Sequence, residues 1–254
     1  MNTSTARWVD DAIFSQAWAY DLAFAWDVER ELRIVSELAL LKPGMRVLIP
    51  ACGTGRHALA LAERGYRVEA SDIHPGMVGL AQAERLHPQL SYSCHDMCAL
   101  PPGPLCQAAF CFCNSFRYLL EEGSARAHLR SIHARLEPGA NYLVELGLNN
   151  AADKVGSGQG WRMLHEDCRV SARWTLQAVH GDNSVETAQI KVEYPDGRVR
   201  EFSEEQPQRL WSHTRLVEVA REEGFAVTGT YLTDGSAVAE CTQSNRYYVV
   251  LRRS

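Results

Sequence analysis

The sequence has no continuous stretch of about 18 apolar residues, the length that a membrane-spanning helix requires. It has no cluster of lysine and arginine, and its net charge of −5 does not favour nucleic acid or an anionic membrane as a partner. Its opening segment, MNTSTARWVDDAIF, lacks the charged start and apolar core of a secretory signal. We therefore expect a cytoplasmic protein with neither a membrane nor a nucleic-acid partner.

Paired C-x-x-C units are also missing, although the chain has eight cysteines. A zinc site needs such pairs or added histidines at set spacing, and His95 is the only histidine near Cys94 and Cys98. Without a secretory signal the cysteines are expected to be reduced thiols. Cys111 and Cys113 lie in an apolar run and are expected to be small buried side chains. The sequence therefore predicts no metal site.

The most informative segment is Val47–Asp72, VLIPACGTGRHALALAERGYRVEASD. It has the pattern of a strand, a turn of small residues at Ala51–Gly55, a helix, a second strand and an acid. Glycines in such a turn tolerate positive φ and let a ligand approach the backbone, and the following helix presents unpaired N–H groups. An acid at the tip of the second strand can bind both hydroxyls of a ribose. The segment predicts a site for a nucleoside-containing cofactor.

This segment alone leaves two cofactors open. Gly53-x-Gly55-x-x-Ala58 fits the dinucleotide fingerprint, and Asp72 lies near the position of the acid that binds the ribose of NAD. An NAD-dependent enzyme and another nucleoside-dependent enzyme are equally compatible with it.

Strand and helix patterns continue to alternate after Asp72. Helices are predicted at 75–86 and 123–136, and strands at 90–94, 107–113 and 141–146. The alternation predicts a doubly wound α/β fold with a mostly parallel sheet, whose ligands lie at the carboxyl ends of the strands. Those ends carry Ala51–Gly55, Asp72, Asp96 and Asn114–Tyr118.

The pattern changes at Gly147. Residues 148–160 are polar and rich in glycine, which predicts a mobile loop, and 161–211 have alternating segments without a helical period. We expect a small inserted antiparallel sheet of three or four strands there. A helix at 213–223 and strands at 225–232 and 246–251 complete the chain.

Several strand ends share a pattern with one known family. The motifs are Cys52-Gly53-Thr54-Gly55, Asp72 with Met77, His95-Asp96-Met97, Asn114-Ser115-Phe116-Arg117-Tyr118-Leu119 and Leu136-Glu137-Pro138-Gly139. As a set they resemble class I S-adenosylmethionine-dependent methyltransferases, most closely the small-molecule type related to glycine N-methyltransferase and the aminosugar N-methyltransferases. The firm part of the resemblance covers roughly residues 28–146.

The resemblance implies a Rossmann-like sheet of seven strands with an antiparallel last strand. It also implies an antiparallel sheet that forms a lid over the active site. We therefore predict an aromatic N-terminal arm at 1–28, a methyltransferase core at 29–147 and 212–254, and a lid at 148–211. The arm packs on the body of the protein or covers the site as a flap, and both can hold at once.

The family's site residues carry over by position. Asp72 is expected to bind the ribose hydroxyls, and Asp96 the adenine amino group. The other implied or hypothesised contacts of S-adenosylmethionine are Tyr20, Trp26, Ala51, Cys52, Gly53, Gly55, Ile73, Met77, Met97, Cys113 and Asn114.

Two positions depart from the family pattern. Ile49 occupies the place of an acid on the first strand, and Ala51 the place of a glycine. We expect these changes to weaken cofactor binding without changing the cofactor. Tyr20, Trp26 and Arg30 of the N-terminal region are hypothesised to support the methionine end.

The predicted reaction is an in-line transfer of a methyl group to a nitrogen, oxygen or sulfur of a small molecule. Alignment of the acceptor then supplies most of the catalysis, and only a hydroxyl acceptor benefits from a general base. The candidate catalytic residues are Tyr118, Asn114 and His165; His180 and His213 are further histidines without a motif. Arg117 either pairs with an acidic substrate or faces solvent. The protein is expected to be a monomer or a homodimer.

Two other functions compete with this prediction. An NAD(P)-dependent oxidoreductase fits the glycine turn, but no Tyr-x-x-x-Lys pair is recognisable. A non-catalytic module that binds the cofactor is compatible with Ile49 and Ala51.

Overall fold

The computed structural model describes residues 13–150, 153–239, 241 and 243–254, so Trp8 of the predicted arm lies outside the described residues. The main sheet consists of β1 (Arg46–Pro50), β2 (Arg67–Asp72), β3 (Leu90–Cys94), β4 (Cys106–Cys111), β5 (Leu136–Leu148), β10 (Phe225–Leu232) and β11 (Asn245–Arg253). A second sheet consists of β6 (Gly158–Leu164), β7 (Arg169–His180), β8 (Asn183–Glu193) and β9 (Val199–Arg209).

The main sheet has the strand order β10-β11-β5-β4-β1-β2-β3. β1 to β5 pair in parallel, whereas β11 is antiparallel to both β5 and β10. The predicted fold class, a mostly parallel sheet of seven strands with an antiparallel last strand, is confirmed. Because β1 and β4 are neighbours whose connections leave in opposite directions, their carboxyl ends flank the crevice where ligands bind in such sheets.

Helices cover both faces of this sheet. They are α2 (Glu29–Leu38), α3 (Arg56–Glu63), α4 (Pro75–Glu84), α5 (Glu122–Arg135) and α6 (His213–Glu222), whereas α1 (Ala17–Ala23) packs against the second sheet. Two helices begin with recognisable caps. Ser212 accepts a hydrogen bond from Arg215 N at 3.1 Å, and Pro75 occupies the first turn of α4, where its missing N–H costs nothing. None of the described helices is long and apolar enough to cross a membrane.

The second sheet confirms the predicted antiparallel lid but differs from it in detail. β6 begins at Gly158, inside the segment predicted to be a loop. A Cβ atom at Gly158 would collide with the carbonyl of Trp174 on the neighbouring strand β7. Glycine there permits close strand pairing rather than a turn. β9 is one continuous strand through Pro207, since it is an edge strand and tolerates a residue without an N–H group.

The lid and the N-terminal segment share one apolar cluster. Phe24 is buried against Trp174, with ring centroids 5.5 Å apart, and Trp161 stacks on Trp174 at 5.2 Å. Trp211, by contrast, is buried in the core between the main sheet and α5 and α6. Residues 13–26 therefore pack against the lid in one apolar cluster.

Candidate functional site

The glycine turn connects β1 to α3 and lies beside the tip of β2. Asp72 joins the two, since its Oδ2 atom accepts a hydrogen bond from Gly53 N at 2.8 Å and its Oδ1 atom accepts one from His74 N at 2.9 Å. Burial raises the pKa of Asp72, and these two hydrogen bonds oppose that rise. Each carboxylate oxygen can accept a second hydrogen bond, so Asp72 retains the capacity to bind two hydroxyls.

The backbone of the turn is left-handed at three positions. Ala51, Gly53 and Gly55 have φ angles of 51°, 55° and 85°. A Cβ atom at Gly55 would lie 2.5 Å from the Tyr92 hydroxyl, so that position requires glycine. Ala51 adopts the left-handed region with a side chain, at a cost of about 1–2 kcal/mol. The departure from glycine at this position therefore leaves the shape of the turn intact.

The arm covers the turn from the other side. The Tyr20 ring lies 3.7 Å from the position that a Cβ atom on Gly53 would take. Asp21 accepts a hydrogen bond from Thr54 Oγ1 at 2.5 Å and forms an ion pair with Arg85 at 2.8 Å. These contacts fix α1 over the glycine turn and bring Tyr20 to the predicted cofactor site.

Trp26 reaches the same region through Arg56, the first residue of α3. The Arg56 guanidinium lies 5.0 Å from the centroid of the Trp26 ring, within the range of a cation–π interaction. Arg30 is exposed on α2 and contributes to a surface depression that it shares with Glu37 and Arg64. Arg56 is therefore better placed at the turn than Arg30, which was hypothesised from the sequence.

The adenine-side candidates lie at the tips of β2 and β3. Met77 is buried, whereas Ile73 is 48% exposed. Asp96 is exposed, and its Oδ1 atom accepts a hydrogen bond from Cys98 N at 2.8 Å. Met97 packs against the core and its carbonyl lies 3.0 Å from His128 Nδ1. Near the ends of these two strands, Ile73 therefore presents an apolar surface and Asp96 presents an acid.

The loop after β4 is held in an unusual conformation. Cys113 and Asn114 have φ angles of 55° and 62°, so two consecutive side-chain-bearing residues are left-handed. Two contacts with β5 hold them there. Cys113 N donates to Glu145 Oε2 at 2.7 Å, and Gly147 N donates to Asn114 Oδ1 at 2.6 Å. Strain of this kind is often found at functional sites.

Polar groups of the lid face this loop. The Tyr118 hydroxyl donates to Gln206 Oε1 at 2.7 Å, and Trp174 Nε1 donates to the same oxygen at 2.8 Å. Because an indole N–H can only donate, it fixes the orientation of the Gln206 amide. The Nε2 atom of Gln206 and the Oε1 atom of Gln208 are buried and have no hydrogen-bond partner among the described residues.

Arg117 corrects one expectation from the sequence. It is 4% exposed and does not face solvent. Its guanidinium pairs with Glu186 at 3.3 Å and donates to Ser184 Oγ at 3.3 Å. Arg117 therefore joins the loop after β4 to the lid.

The three candidate histidines lie apart from one another. His165 Nε2 lies 2.9 Å from the Leu22 carbonyl, so this histidine joins the lid to the arm. His213 Nε2 lies 2.9 Å from Thr230 Oγ1, and His180 ends β7 in an exposed position. Among the predicted site residues, Tyr20, Cys113 and Tyr118 lie close enough to interact electrostatically. His165 contacts the Leu22 carbonyl of the arm instead.

Sequence reasoning missed Arg56, Glu145, Gln206 and Gln208. Arg56 directly follows the glycine turn, and this position was a sufficient reason to consider it. Gln206 and Gln208 alternate along β9, a period-two signal that the neighbouring charges obscure. Among the described residues, no group of three His, Cys, Asp or Glu side chains is arranged to hold a metal ion.

The residues present fit a nucleoside cofactor with a methionine arm. Asp72 offers carboxylate oxygens at the turn, Ile73 offers an exposed apolar surface, and the turn itself is built from small residues. Apolar surface with a few fixed polar groups is typical of cofactor sites.

Comparisons with known proteins agree with this geometry. The family described as a methyltransferase domain matches residues 47–139. A protein of Geobacillus sp. (strain WCH70) named "putative methyltransferase" is 25% identical over 211 residues, which cover 82% of this chain and 84% of that protein.

Two solved structures share the fold. The S-adenosylmethionine-bound amino pentose methyltransferase CalS10 from Micromonospora echinaspora has a TM-score of 0.74 and 22% identity, covering 92% of this chain and 96% of that chain. The sugar N-methyltransferase KedS8 from Streptoalloteichus has a TM-score of 0.76 and 20% identity, covering 100% of this chain and 98% of that chain. The comparisons give no support to an NAD-dependent oxidoreductase. By the matched domain and the shared fold, the chain is similar to S-adenosylmethionine-dependent methyltransferases.

Proposed function

We propose that the protein methylates an amine nitrogen of a small hydroxylated molecule. The observation that carries this proposal is the polar inner face of the lid next to Tyr118, where Gln206 accepts a hydrogen bond from the Tyr118 hydroxyl and Gln208 keeps a buried amide oxygen without a partner among the described residues. A buried polar group without a partner costs about 1–3 kcal/mol, a cost that a ligand hydroxyl can remove.

The charges around this face favour an amine. Glu186 and Glu204 both interact electrostatically with Tyr118, and Glu204 accepts a hydrogen bond from Ile13 N at 3.0 Å. Arg117 neutralises Glu186, whereas burial raises the pKa of Glu204. The carboxyl oxygens of Glu186 and Glu204 can accept hydrogen bonds from the N–H groups of a neutral amine, and the amide groups of β9 suit hydroxyls.

Tyr118 is proposed to orient the acceptor rather than to remove its proton. Burial raises the pKa of Tyr118 well above its ordinary value, so its hydroxyl stays protonated and donates to Gln206. An amine that reaches the site neutral needs no general base, unlike a hydroxyl. We propose that Tyr118 and Asn114 align the acceptor; His165, which contacts Leu22, stays a prediction as a base.

When bound, S-adenosylmethionine supplies an activated methyl group for an in-line displacement. We propose that Asp72 binds its ribose hydroxyls, that Asp96 binds the adenine edge between Ile73 and Met77, and that Cys113 lies beside the sulfur. Tyr20, covering the turn, excludes water from the reacting atoms, which strengthens the electrostatic contacts inside. The remaining proposed contacts are Trp26, Ala51, Cys52, Gly53, Gly55, Met97 and Asn114.

The related structures support this choice of acceptor, since CalS10 is named as an amino pentose methyltransferase and KedS8 as a sugar N-methyltransferase. Neither name specifies the acceptor of this chain.

The test uses S-adenosylmethionine with a labelled methyl group and a panel of amino sugars, each matched to the same sugar with a hydroxyl in place of the amine. We expect label on nitrogen only, detected by mass spectrometry. Label on oxygen or on an added thiol, or no transfer to any amine, would contradict the proposal.

A pair of variants tests the role of the lid. Gln206→Leu removes both amide contacts and should raise the acceptor KM about tenfold, the loss of one buried hydrogen bond, with an unchanged KM for the cofactor. Gln189→Leu, an exposed glutamine on the neighbouring strand, is the matched control and should change neither constant.

A further inference from the structure

A buried network of charges lies behind the loop after β4. Its centre is Glu145, which is only 4% exposed. One carboxylate oxygen accepts the Cys113 N–H at 2.7 Å, and the other accepts Arg246 Nη1 at 3.0 Å. Burial raises the pKa of Glu145, and the Arg246 charge opposes that rise.

A second carboxylate extends the network to the glycine turn. Glu31 on α2 lies 2.9 Å from His57 Nε2 in the first turn of α3, and accepts the Tyr248 hydroxyl at 3.4 Å. Burial alone would raise the pKa of Glu31, but the hydrogen bond from His57 and neighbouring charges lower it overall. Glu31 and Glu145 interact electrostatically, so the two acids form one unit.

Glu145 holds the left-handed loop at Cys113, a contact that a neutral amide could make as well. Ile49, at the end of β1, is buried in the same apolar cluster as Phe112 and Tyr248, so the site itself accommodates apolar side chains. A buried charge is costly to stability unless it is well paired, and an apolar replacement is often neutral or stabilising. Glu145 touches the loop after β4, and Glu31 touches the first turn of α3, which follows the glycine turn.

We propose that Glu145, assisted by Glu31, makes the sulfur end of the cofactor pocket prefer S-adenosylmethionine over S-adenosylhomocysteine. The substrate carries a sulfonium charge, and the product carries a neutral thioether at the same atom. Two carboxylates, Glu145 and Glu31, interact with one guanidinium, that of Arg246, so the network behind Cys113 stabilises the sulfonium more than the thioether. Glu145 is a positioning residue in this scheme, since it acts through the Cys113 loop and through its charge.

This inference rests on the proposed position of the sulfur beside Cys113, but it does not depend on the identity of the acceptor. The test is therefore a binding measurement without an acceptor. Calorimetry gives the Kd of S-adenosylmethionine and of S-adenosylhomocysteine for the wild type and for Glu145→Gln, in which the side-chain oxygen can still accept the Cys113 N–H.

We expect Glu145→Gln to weaken S-adenosylmethionine binding about tenfold and S-adenosylhomocysteine binding by no more than about twofold. Glu31→Gln should shift the same ratio in the same direction by a smaller factor, since it lies farther from Cys113 in the network. Glu69→Gln is the matched control; Glu69 lies within β2 and pairs with Arg135 at 2.5 Å, and its loss should leave the ratio unchanged.

Equal weakening of both ligands by Glu145→Gln would show a structural role only and would overturn the proposal. No weakening of either ligand, while Asp72→Ala still weakens both, would overturn the position of the sulfur and leave the cofactor assignment intact. Thermal unfolding of each ligand-free variant confirms that it is folded before its Kd values are compared.

Discussion

Asp72→Ala tests the centre of the proposed cofactor site. The carboxylate holds Gly53 N at 2.8 Å and His74 N at 2.9 Å, so it joins the glycine turn to the loop that leads into α4. Its removal takes away both backbone contacts and the two proposed contacts with the ribose.

The expected effect follows from these contacts. A hydrogen bond to a charged group contributes about 1.5–3 kcal/mol, so the loss of even one ribose contact weakens binding at least about tenfold. The freed Gly53 and His74 amides lie at the site and can bind water, so the cost to folding is smaller than two full hydrogen bonds. We expect a folded protein with a large loss of affinity.

The assay is calorimetric titration with S-adenosylhomocysteine and with its 2′-deoxy analogue. The wild type should bind the deoxy analogue more weakly, whereas Asp72→Ala should bind both ligands equally, because the group that recognises the hydroxyl is gone. Asp167→Ala, an exposed lid aspartate, should behave as the wild type.

Comparison of the two ligands distinguishes loss of ribose recognition by Asp72 from a change in the shape of the glycine turn. If Asp72→Ala loses affinity but discriminates between the ligands as strongly as the wild type, the carboxylate shapes the turn without touching the ribose. An unchanged affinity for S-adenosylhomocysteine would show that Asp72 is misassigned.

Three further predictions concern stability. Burial lowers the pKa of His128 from 6.5 to about 4, so between these pH values the unfolded chain binds this proton and the folded chain does not. The free energy of unfolding should therefore fall by about 3 kcal/mol as the pH falls from 6.5 to about 4. Urea unfolding at several pH values should show a flatter profile for His128→Gln, and matching slopes would contradict the assignment. Ser212→Ala should lower the free energy of unfolding by about 1 kcal/mol because α6 loses its N-terminal cap, whereas the exposed Ser203→Ala should leave it unchanged. Equal values for the two variants would refute the cap. Ala51→Gly should raise the free energy of unfolding by about 1 kcal/mol, because glycine adopts the left-handed backbone of Ala51 without strain. The melting temperature should rise with it, and a lower melting temperature would show that no strain is present.

The sequence predicts most of the main sheet because its signals are local. The glycine turn, the apolar β4 and the capped helices each determine their own structure, and the parallel order follows from their alternation. The lid was harder to predict. Glycines in β6 resemble a loop until the facing Trp174 carbonyl is known, and Pro207 resembles a break until β9 is seen to lie at an edge.

The site was predictable where one strand end supplies the group and less so where distant segments meet. The position of Asp72 beside the glycine turn follows directly from its place at the end of β2. Glu145 could not be found in this way, because its contact with Cys113 joins residues 32 positions apart and its partner Arg246 lies on β11. Buried ion pairs between strands leave no periodic signal in a single sequence.

The alternation along β9 has a consequence for how this protein changes. Gln206 and Gln208 face inward while Glu205 and Pro207 face solvent, and Asp72 with its turn belongs to a different sheet. Substitutions at every second residue of one edge strand can therefore alter the preferred acceptor without disturbing the cofactor contacts. Under the proposed function, acceptor choice and methyl supply are therefore separable traits of the two sheets.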